Sequence, residues 1–249
     1  MNGRAITFDF HDTLAHCDPW FDLEVRTLVS AWLHWQAAQA AQSLDPAHAA
    51  AADDAYRRLR QAIVAHGQEE TAERCVALVL DELGLPSDAL AIERGVECLM
   101  RGAFAEVRPV AGAVETVRAI SAAGVPLGVV SSAVYHPFLE WTLESFGIRD
   151  AFADVTTSAS AGFYKSRPEI YLHALGRIGG EPARAVHVGD SWRWDVAGAR
   201  EAGVGAAVWL RKAGAAEGEG DPPDLTLDTL DGAAPAIIGL LDRDGAEPA

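Results

Sequence analysis

The chain has 249 residues, of which 49% are hydrophobic and 22% charged, and this fits one large globular domain or a core domain with a sizeable insertion. Its formal net charge of −16 argues against nucleic acid and anionic membranes as partners, because such a surface repels phosphate groups. No apolar run approaches the roughly 20 residues that span a bilayer, and the first residues do not resemble a signal peptide, so we expect a cytoplasmic protein.

The three cysteines, Cys17, Cys75 and Cys98, are odd in number and far apart in the sequence. Their spacing matches neither a metal site nor a disulfide framework. A reducing compartment fits this pattern, and Cys75 and Cys98 fall in helical stretches where small buried residues are expected.

The first predicted element is a short apolar strand from Ala5 to Phe10, with Asp9 near its end. His11 and Asp12 follow directly. A carboxylate at the end of a buried strand needs a chemical reason, because burial without a partner destabilises its charged form.

Residues 20–104 have a different pattern, with apolar side chains at helical spacing. About four helices and no strands are predicted there, and Gly67 and Gly84 mark the ends of two of them. One of these helices carries Arg57, Arg58 and Arg60, for which a solvated face is the expected position.

Strand and helix patterns alternate in the rest of the chain. Strands are predicted at VPLGVVSS (125–132), DVTTSA (154–159), AVHVGD (185–190) and GAAVWL (205–210), with helical stretches between them. This order is typical of a parallel sheet covered by helices on both faces. Residues 211–224 are predicted to be a mobile linker, residues 227–241 a closing helix, and residues 242–249 a frayed end.

The fold class is therefore α/β, with a Rossmann-like parallel sheet in the core and an inserted α-helical cap. We expect residues 1–15 and 105–249 to form the discontinuous core and residues 16–104 to form the cap. An insertion after the first strand lies at the carboxyl edge of the sheet, where such folds bind ligands, so the cap is expected to cover the site as a lid.

Polar side chains occur at or just after several predicted strand ends, and these ends meet in one crevice of a parallel sheet. They are Asp9, Ser131, Lys165, Asp190 and Asp195. Grouped carboxylates repel one another unless a cation lies between them, and Mg²⁺ is the cation that such oxygen ligands suit. A lysine and a serine beside the metal suit a phosphoryl group, and a central carboxylate can attack phosphorus.

Four stretches carry a resemblance to the haloacid dehalogenase (HAD) superfamily, in both order and spacing. They are FDFHDTL (8–14), GVVSSA (128–133), YKSRPEIY (164–171) and VHVGDSWRWDVAGAREAG (186–203). Each stretch alone is a weak signal, but four in order are specific. A helical segment of the C1 cap type lies between the first two.

The resemblance implies a role for each matching residue. Asp9 would be the nucleophile and a metal ligand, the backbone carbonyl of His11 a further ligand, and Thr13 a support for the loop. In the other three stretches, Ser131 and Ser132 would bind the phosphoryl group, Lys165 would steady it and the nucleophile, Asp190 would bind Mg²⁺, and Asp195 would be a further ligand or a water-mediated support.

His11 departs from the family pattern, since most phosphatases of the family have Asp there to protonate the leaving oxygen and activate water. In one hypothesis His11 takes over this acid/base role, because imidazole titrates near neutral pH and a nearby carboxylate would raise its pKa. Asp12, at the neighbouring position, is expected to point elsewhere.

Two other hypotheses remain open. A 2-haloacid dehalogenase also lacks the second Asp but works without metal, and the retained Asp190 argues against it. The related phosphonate hydrolases use a cap lysine, which residues 20–104 lack. Alternatively, the site is catalytically weakened and the protein serves as a binding or regulatory module, because loss of one acid removes about 10²–10⁴-fold in rate while binding survives.

The sequence thus predicts a Mg²⁺-dependent phosphatase that acts on a small phosphorylated metabolite through an aspartyl phosphate on Asp9. The identity of the substrate, the cap residues that contact it, and the oligomeric state are not encoded in any pattern that we can interpret.

Overall fold

The computed structural model describes residues 3–242. Of the frayed end predicted for residues 242–249, all but the first residue lie outside this range. Within it, the strands are β1 (Ala5–Phe8), β2 (Ala15–His16), β3 (Arg108–Pro109), β4 (Leu127–Ser131), β5 (Asp154–Thr157), β6 (Ala185–Gly189), β7 (Ala206–Leu210) and β8 (Leu225–Leu227). The α-helices are α1 (Asp18–Asp22), α2 (Leu28–Gln39), α3 (Pro46–His66), α4 (Ala72–Glu82), α5 (Ala89–Phe104), α6 (Ala113–Ala122), α7 (His136–Ser145), α8 (Ser158–Ala161), α9 (Glu169–Ile178), α10 (Gly198–Glu201) and α11 (Ala234–Leu240).

Six of the described strands form one parallel sheet in the order β5-β4-β1-β6-β7-β8. Strand β1 lies inside the sheet, where Phe8 is in register with Val129 of β4 and Val188 of β6. All four residues of β1 are buried, as expected for a strand covered on both faces. The predicted α/β fold with a Rossmann-like sheet is confirmed.

The segment between β2 and β3 is a helical insertion, residues 18–104. It contains the four long helices α2 to α5, in agreement with the prediction, and no strand. Helix α3 ends at Gly67, whose φ of 77° lies in the left-handed region that favours glycine. The short helix α1 and a π-helical turn at Leu23–Thr27 were not predicted.

Two short strands join the chain segments that enter and leave the helical insertion. Ala15 of β2 pairs with Pro109 of β3, and His16 pairs with Arg108, in an antiparallel arrangement. Two-residue strands leave no alternating pattern in a sequence, so this pair was not predicted. The division into core and cap at residues 15 and 105 stays a prediction.

The connection between α3 and α4 binds directly to the core, in a contact that we call the clasp: residues 67–72 with residues 162–164 and Val134. Tyr164 N donates to Gly67 O at 2.9 Å, and Glu69 N donates to Gly162 O at 3.0 Å. Ala72 N donates to Val134 O at 2.9 Å. The helical insertion is therefore held to the core at a point far from its covalent junctions.

The last part of the described chain differs from the prediction. Leu227, predicted to begin the closing helix, instead ends strand β8, which pairs with β7 directly after the predicted linker. The closing helix is shorter than predicted and begins at Ala234. Gly112 approaches the chain that leads to α11 so closely that a Cβ there would lie 2.2 Å from Asp231 N.

Cys75 is buried as expected, and so is Cys17, but the expectation that Cys98 is buried is wrong, because it lies on the exposed face of α5. Burial raises the pKa of the Cys75 thiol to about 12 and also raises that of Cys17. Across residues 3–242, no helix combines the length and the apolar character that a membrane crossing requires.

Candidate active site

All of the side chains predicted for the site line one cavity of about 460 Å³ at the carboxyl edge of the sheet: Asp9, His11, Ser131, Ser132, Lys165, Asp190 and Asp195. The parallel register explains this grouping. Asp9 directly follows β1, Ser131 ends β4, and Asp190 directly follows β6, so the three strands deliver them to the same edge.

Lys165 lies between two carboxylates at the base of the cavity. Its Nζ donates to Asp9 Oδ1 at 2.5 Å and to Asp195 Oδ1 at 2.6 Å. All three side chains are buried, with Lys165 4% exposed, so they depend on one another for charge compensation. Thr13, also buried, donates from Oγ1 to Asp9 Oδ2 at 3.3 Å, which is a contact suited to the predicted supporting role.

The carboxylate of Asp195 has no free oxygen. Oδ1 accepts from Lys165 and from His187 Nε2, the latter at 3.1 Å, and Oδ2 accepts from Ser191 N at 2.9 Å. Burial raises the pKa of Asp195, but Lys165 and His187 outweigh it and hold that pKa below its usual range. Asp195 is therefore ionised and fully engaged by the protein.

His187 completes a buried chain of contacts that the sequence reasoning missed. Its Nδ1 lies 2.8 Å from Thr7 Oγ1, and its side chain has no exposed surface. Since an ionised carboxylate only accepts, Nε2 carries the proton toward Asp195 and Nδ1 accepts from Thr7. The only signal in the sequence is a histidine in an otherwise apolar strand, two residues before Gly189.

Gly189 lets Asp195 approach the end of β6. A Cβ at this position would lie 2.2 Å from Asp195 Cγ, far closer than any contact that real side chains make. Only glycine fits here, because the Asp195 carboxylate packs directly against the backbone at this position.

Ser131 ends β4 and Ser132 begins the loop after it, so both lie on the opposite side of Asp9 from Asp190, since β4 and β6 flank β1. Ser131 is 3% exposed. Ser132 Oγ accepts a hydrogen bond from Lys165 N at 3.2 Å, so this serine positions the backbone that carries the lysine. Both side chains border the cavity.

His11 is packed between aromatic rings at the edge of the helical insertion. Its ring stacks on Phe21, with centroids 4.5 Å apart and planes at 11°, and lies 5.6 Å from the ring of Trp20. The buried Nε2 has no hydrogen-bond partner among the described residues. We expected a nearby carboxylate to raise the pKa of His11; Asp12 does so, but burial outweighs it and the pKa is lowered.

Lys212 is a cavity residue that the sequence reasoning placed in the linker. Its Nζ lies 2.7 Å from Asp190 Oδ2 and also contacts Asp12 Oδ2. Asp12 has a φ of 59° and accepts from His16 Nδ1 at 2.5 Å through its other oxygen. Asp12 was expected to point elsewhere; it contacts Lys212 and His16 and borders the same cavity. The signal for Lys212 was its position two residues after β7, at the same edge of the sheet.

Asp9, Asp190 and Asp195 each bring a carboxylate oxygen within 4.8 Å of the others. Burial raises the pKa of Asp9 to about 7; Lys165 opposes this effect, and the charges of Asp195 and Asp190 add to it. Burial and Asp195 likewise raise the pKa of Asp190. The site thus holds an excess of negative charge that a cation would relieve.

The helical insertion contributes Trp20, Glu24, Val25 and Arg60 to the cavity wall. The expectation that Arg60 lies on a solvated face is wrong: it is 7% exposed and donates to both carboxylate oxygens of Glu69, at 2.5 and 3.1 Å. Its neighbours Arg57 and Arg58 are exposed, as expected. Helical spacing places Arg60 on the buried face, whereas its charge suggested the opposite.

A wider open groove of about 810 Å³ lies beside the base of the helical insertion, bordered by residues that include Cys17, Arg26 and Arg108. It contains none of the carboxylates grouped around Lys165. Size alone therefore does not mark the candidate site.

Comparison with known proteins identifies relatives of the whole fold. A model of the haloacid dehalogenase-like hydrolase family matches residues 4–203. The chain is 26% identical over 230 residues to a glyceraldehyde 3-phosphate phosphatase of Methanopyrus kandleri, covering 90% of this chain and 93% of that one. It is 41% identical over 93 residues to the bovine (Bos taurus) haloacid dehalogenase-like hydrolase domain-containing protein 3, covering 37% and 36% of the two chains.

Among solved structures, a 2-haloacid dehalogenase from Pseudomonas syringae pv. Tomato is similar with a TM-score of 0.70 over 95% of this chain and 98% of that one. At 24% identity, this likeness speaks to the fold alone.

Proposed function

This chain is a member of the haloacid dehalogenase-like hydrolase family, and from that premise we propose that it is a Mg²⁺-dependent phosphatase. It hydrolyses a small phosphate monoester through an aspartyl phosphate on Asp9. A relative that matches most of the chain is a phosphatase by name, which supports this class of reaction over dehalogenation.

The observation that carries the proposal is the arrangement around Asp9. A buried carboxylate lies within 2.5 Å of a lysine amine and beside two further carboxylates, at the base of a cavity that also contains the hydroxyl groups of Ser131 and Ser132. This combination offers a nucleophile, a cation for phosphoryl oxygens and hydroxyl donors in one place.

In the first step, a carboxylate oxygen of Asp9 forms a bond to phosphorus, and the bond from phosphorus to the leaving oxygen breaks. The leaving oxygen keeps the electron pair and takes a proton. In the second step, water adds to the phosphoryl group, the bond to Asp9 breaks, and inorganic phosphate leaves. Lys165 neutralises charge on the transferring group in both steps, and Ser131 donates to one of its oxygens.

The donor set fits Mg²⁺, because it consists of hard carboxylate oxygens with unrelieved negative charge. Asp9, Asp190 and the backbone carbonyl of His11 would hold the ion, which when bound supplies positive charge against the phosphoryl oxygens. Asp195 was expected to be a ligand or a support. We assign it the supporting role, in which it fixes Lys165 against Asp9, because Lys165, His187 and Ser191 N all donate to it and it is more deeply buried than Asp9.

His11 moves the proton in this proposal. Its Nε2 is buried, unpartnered among residues 3–242, and part of a side chain that borders the cavity. Burial lowers the pKa of His11 and favours the neutral ring, which can receive a proton from the attacking water, whereas the protonated ring can give one to the leaving oxygen. Stacking on Phe21 fixes the ring without using either nitrogen.

The test is phosphate release from acetyl phosphate and from alkyl phosphates, with and without Mg²⁺, for the wild type and the Asp9→Asn variant. We expect release that depends on Mg²⁺ and a loss of at least about 10³-fold in Asp9→Asn, because the amide cannot form the acyl phosphate. Wild-type turnover that survives in Asp9→Asn would contradict the proposal.

A His11→Asp variant separates the proposal from a weakened binding module. An active wild type that changes little in this variant supports a working His11. A nearly inert wild type that gains about 10²-fold or more in His11→Asp supports the binding module instead, since a carboxyl group then restores the missing acid. Chloride release from 2-chloropropionate without metal would indicate a dehalogenase.

A further inference from the structure

The wall of the cavity formed by the helical insertion carries a buried carboxyl group that the reaction proposed above does not use. Glu24 is 3% exposed and borders the cavity. Its Oε2 accepts from Val134 N at 2.8 Å, but its Oε1 has no hydrogen-bond partner among the described residues. A buried polar atom without a partner costs free energy, so its presence beside a cavity indicates a group that a ligand completes.

The charges of this wall disfavour a leaving group that carries a carboxylate. Arg60 is the cationic side chain that the helical insertion contributes to the described cavity wall, and its two terminal nitrogens both donate to Glu69. The other cationic side chains of the cavity are Lys165 and Lys212, which are paired with carboxylates in the same way. Among the described residues that border the cavity, six carboxyl groups face three cationic side chains. A carboxylate on the leaving group would therefore meet no free cation.

A hydroxyl group suits Glu24 better than any other polar group. A hydroxyl both donates and accepts, so it pairs with Oε1 whether the carboxyl group is ionised or protonated. This matters because burial raises the pKa of Glu24 to about 8, while the backbone amides of Val134 and Tyr135 and the charge of Arg60 oppose that rise. Trp20 and Trp194 add aromatic surface to the same cavity, against which a carbon chain can pack.

We propose that Glu24 determines specificity by binding a hydroxyl group of the leaving group, so that the substrates are small polyol-type phosphate monoesters rather than carboxylate-bearing ones. The inference rests on the phosphatase function proposed above. Glu24 acts on the leaving group through one hydrogen bond from Oε1, while its other oxygen stays on Val134.

The test compares three phosphate esters of similar size: racemic glycerol 3-phosphate, propyl phosphate, which lacks the hydroxyl groups, and 2-phosphoglycolate, which carries a carboxylate. For the wild type we expect kcat/KM for glycerol 3-phosphate to exceed the other two by about 10-fold or more, as the loss of a buried hydrogen bond predicts. Acetyl phosphate serves as a reporter of the chemical step without any hydroxyl group.

Two variants at the same position separate recognition from structure. Glu24→Leu should abolish the preference for glycerol 3-phosphate over propyl phosphate. The readout is the ratio of kcat/KM for the two esters within this variant, which a general loss of activity does not change. Glu24→Gln, which can still accept from Val134 N and pair with a hydroxyl, should keep that preference. The exposed Glu93→Gln variant on α5 is the control.

The outcomes distinguish the two proposals. No phosphate release from acetyl phosphate or any ester overturns the phosphatase function and this inference with it. Release from acetyl phosphate with equal kcat/KM for all three esters, or a preference that survives in Glu24→Leu, overturns only the role of Glu24.

Discussion

At the scale of single residues, the candidate site consists of carboxylates paired with two lysines. Lys165 is shared by Asp9 and Asp195, and Lys212 by Asp12 and Asp190. The first pair of contacts is buried, whereas the Lys212 side chain is 48% exposed. The two lysines therefore differ in what they do for the site: Lys165 is part of its interior, and Lys212 covers a carboxylate that we assign to the metal.

This arrangement makes Lys212 a competitor of Mg²⁺ for Asp190. We predict that Lys212→Met binds Mg²⁺ about 3–10-fold more tightly than the wild type, because removal of a partly screened positive charge near the ion favours it by roughly 1 kcal/mol. Titration calorimetry with MgCl₂ measures the change directly. Arg211→Met is the matched control, since Arg211 pairs with Asp228 away from the cavity and should leave the affinity unchanged.

Glu24 makes stability depend on pH in a way that a single variant reveals. The pKa of Glu24 is about 8 in the folded protein and 4.5 in the unfolded chain. Between these two pH values the folded state therefore keeps the proton that the unfolded state loses. The contribution of Glu24 to the free energy of unfolding is consequently fully present below pH 4.5, and it is lost as the pH rises toward 8. The loss is at most about 5 kcal/mol.

Glu24→Gln should remove this dependence, so its stability relative to the wild type should increase between pH 5 and pH 8. Urea unfolding at both pH values gives the double difference, and the exposed Glu93→Gln variant supplies the baseline. A relative stability that stays constant with pH would show that Glu24 titrates normally.

Much of the candidate site was predictable from residues at strand ends, because β-strand geometry fixes where Asp9, Ser131 and Asp190 must lie. His187 and Lys212 were not predictable with the same reasoning. A strand histidine is equally compatible with simple packing, and Lys212 stands in a Gly/Ala/acid-rich segment whose path the sequence pattern does not define. Arg60 was placed on the wrong face because charge was weighed above helical periodicity.

At the scale of elements, the helical insertion depends on close contact between α2 and α5. Gly95 of α5 is buried against Trp32 and Trp35, and a Cβ there would lie 2.5 Å from two atoms of the Trp32 ring. Trp32 also donates from Nε1 to Ala91 O at 3.3 Å, one turn earlier on the same helix. The two helices can approach this closely only because α5 has a glycine at the crossing.

We predict that Gly95→Ala destabilises the protein by about 1–3 kcal/mol, the usual cost of overpacking a core. Gly102→Ala on the same helix is the control: it is exposed and its Cβ would meet nothing within 4 Å, so it should stabilise by about 0.5–1 kcal/mol through helix propensity. Chemical unfolding of both variants measures the difference. A neutral Gly95→Ala would mean that the two tryptophans can move aside without loss.

The elements themselves were predicted well where they are long. The strands around Val129 and Val188 and the four long helices follow from apolar runs and helical spacing. Strand β8 was missed because Leu225 to Leu227 is too short and too exposed to form a pattern, and it forms through pairing with β7. The β2–β3 pair likewise depends on tertiary proximity rather than on local preference.

At the scale of the whole molecule, the clasp determines how the helical insertion sits over the site. Besides its backbone hydrogen bonds, Ser158 Oγ donates to Glu69 Oε2 at 2.8 Å and to Ala133 O at 3.2 Å. Glu69 in turn holds Arg60, so the same carboxylate connects the core, the clasp and the cavity wall. The clasp is therefore built from backbone and side-chain hydrogen bonds and one buried ion pair.

Ser158→Ala should loosen the clasp without unfolding the core. We predict that the amides of Glu69 and Ala72 exchange with solvent about 3–30-fold faster, corresponding to roughly 0.7–2 kcal/mol for one buried hydrogen bond. Hydrogen–deuterium exchange of the peptide that spans residues 67–72 measures this. Ser145→Ala, whose hydroxyl bonds only to Thr142 O within α7, is the control, and equal protection in both variants would contradict the prediction.

The exposure of Cys98 offers a practical consequence. With Cys17 and Cys75 enclosed, the unaltered chain presents one reactive thiol, on the outer surface of α5. A maleimide fluorophore attached there would label the helical insertion. A second dye at an engineered cysteine on the sheet would allow the distance between the two to be measured by resonance energy transfer. The distance between the two dyes could then be measured one molecule at a time during turnover, without first removing any native cysteine.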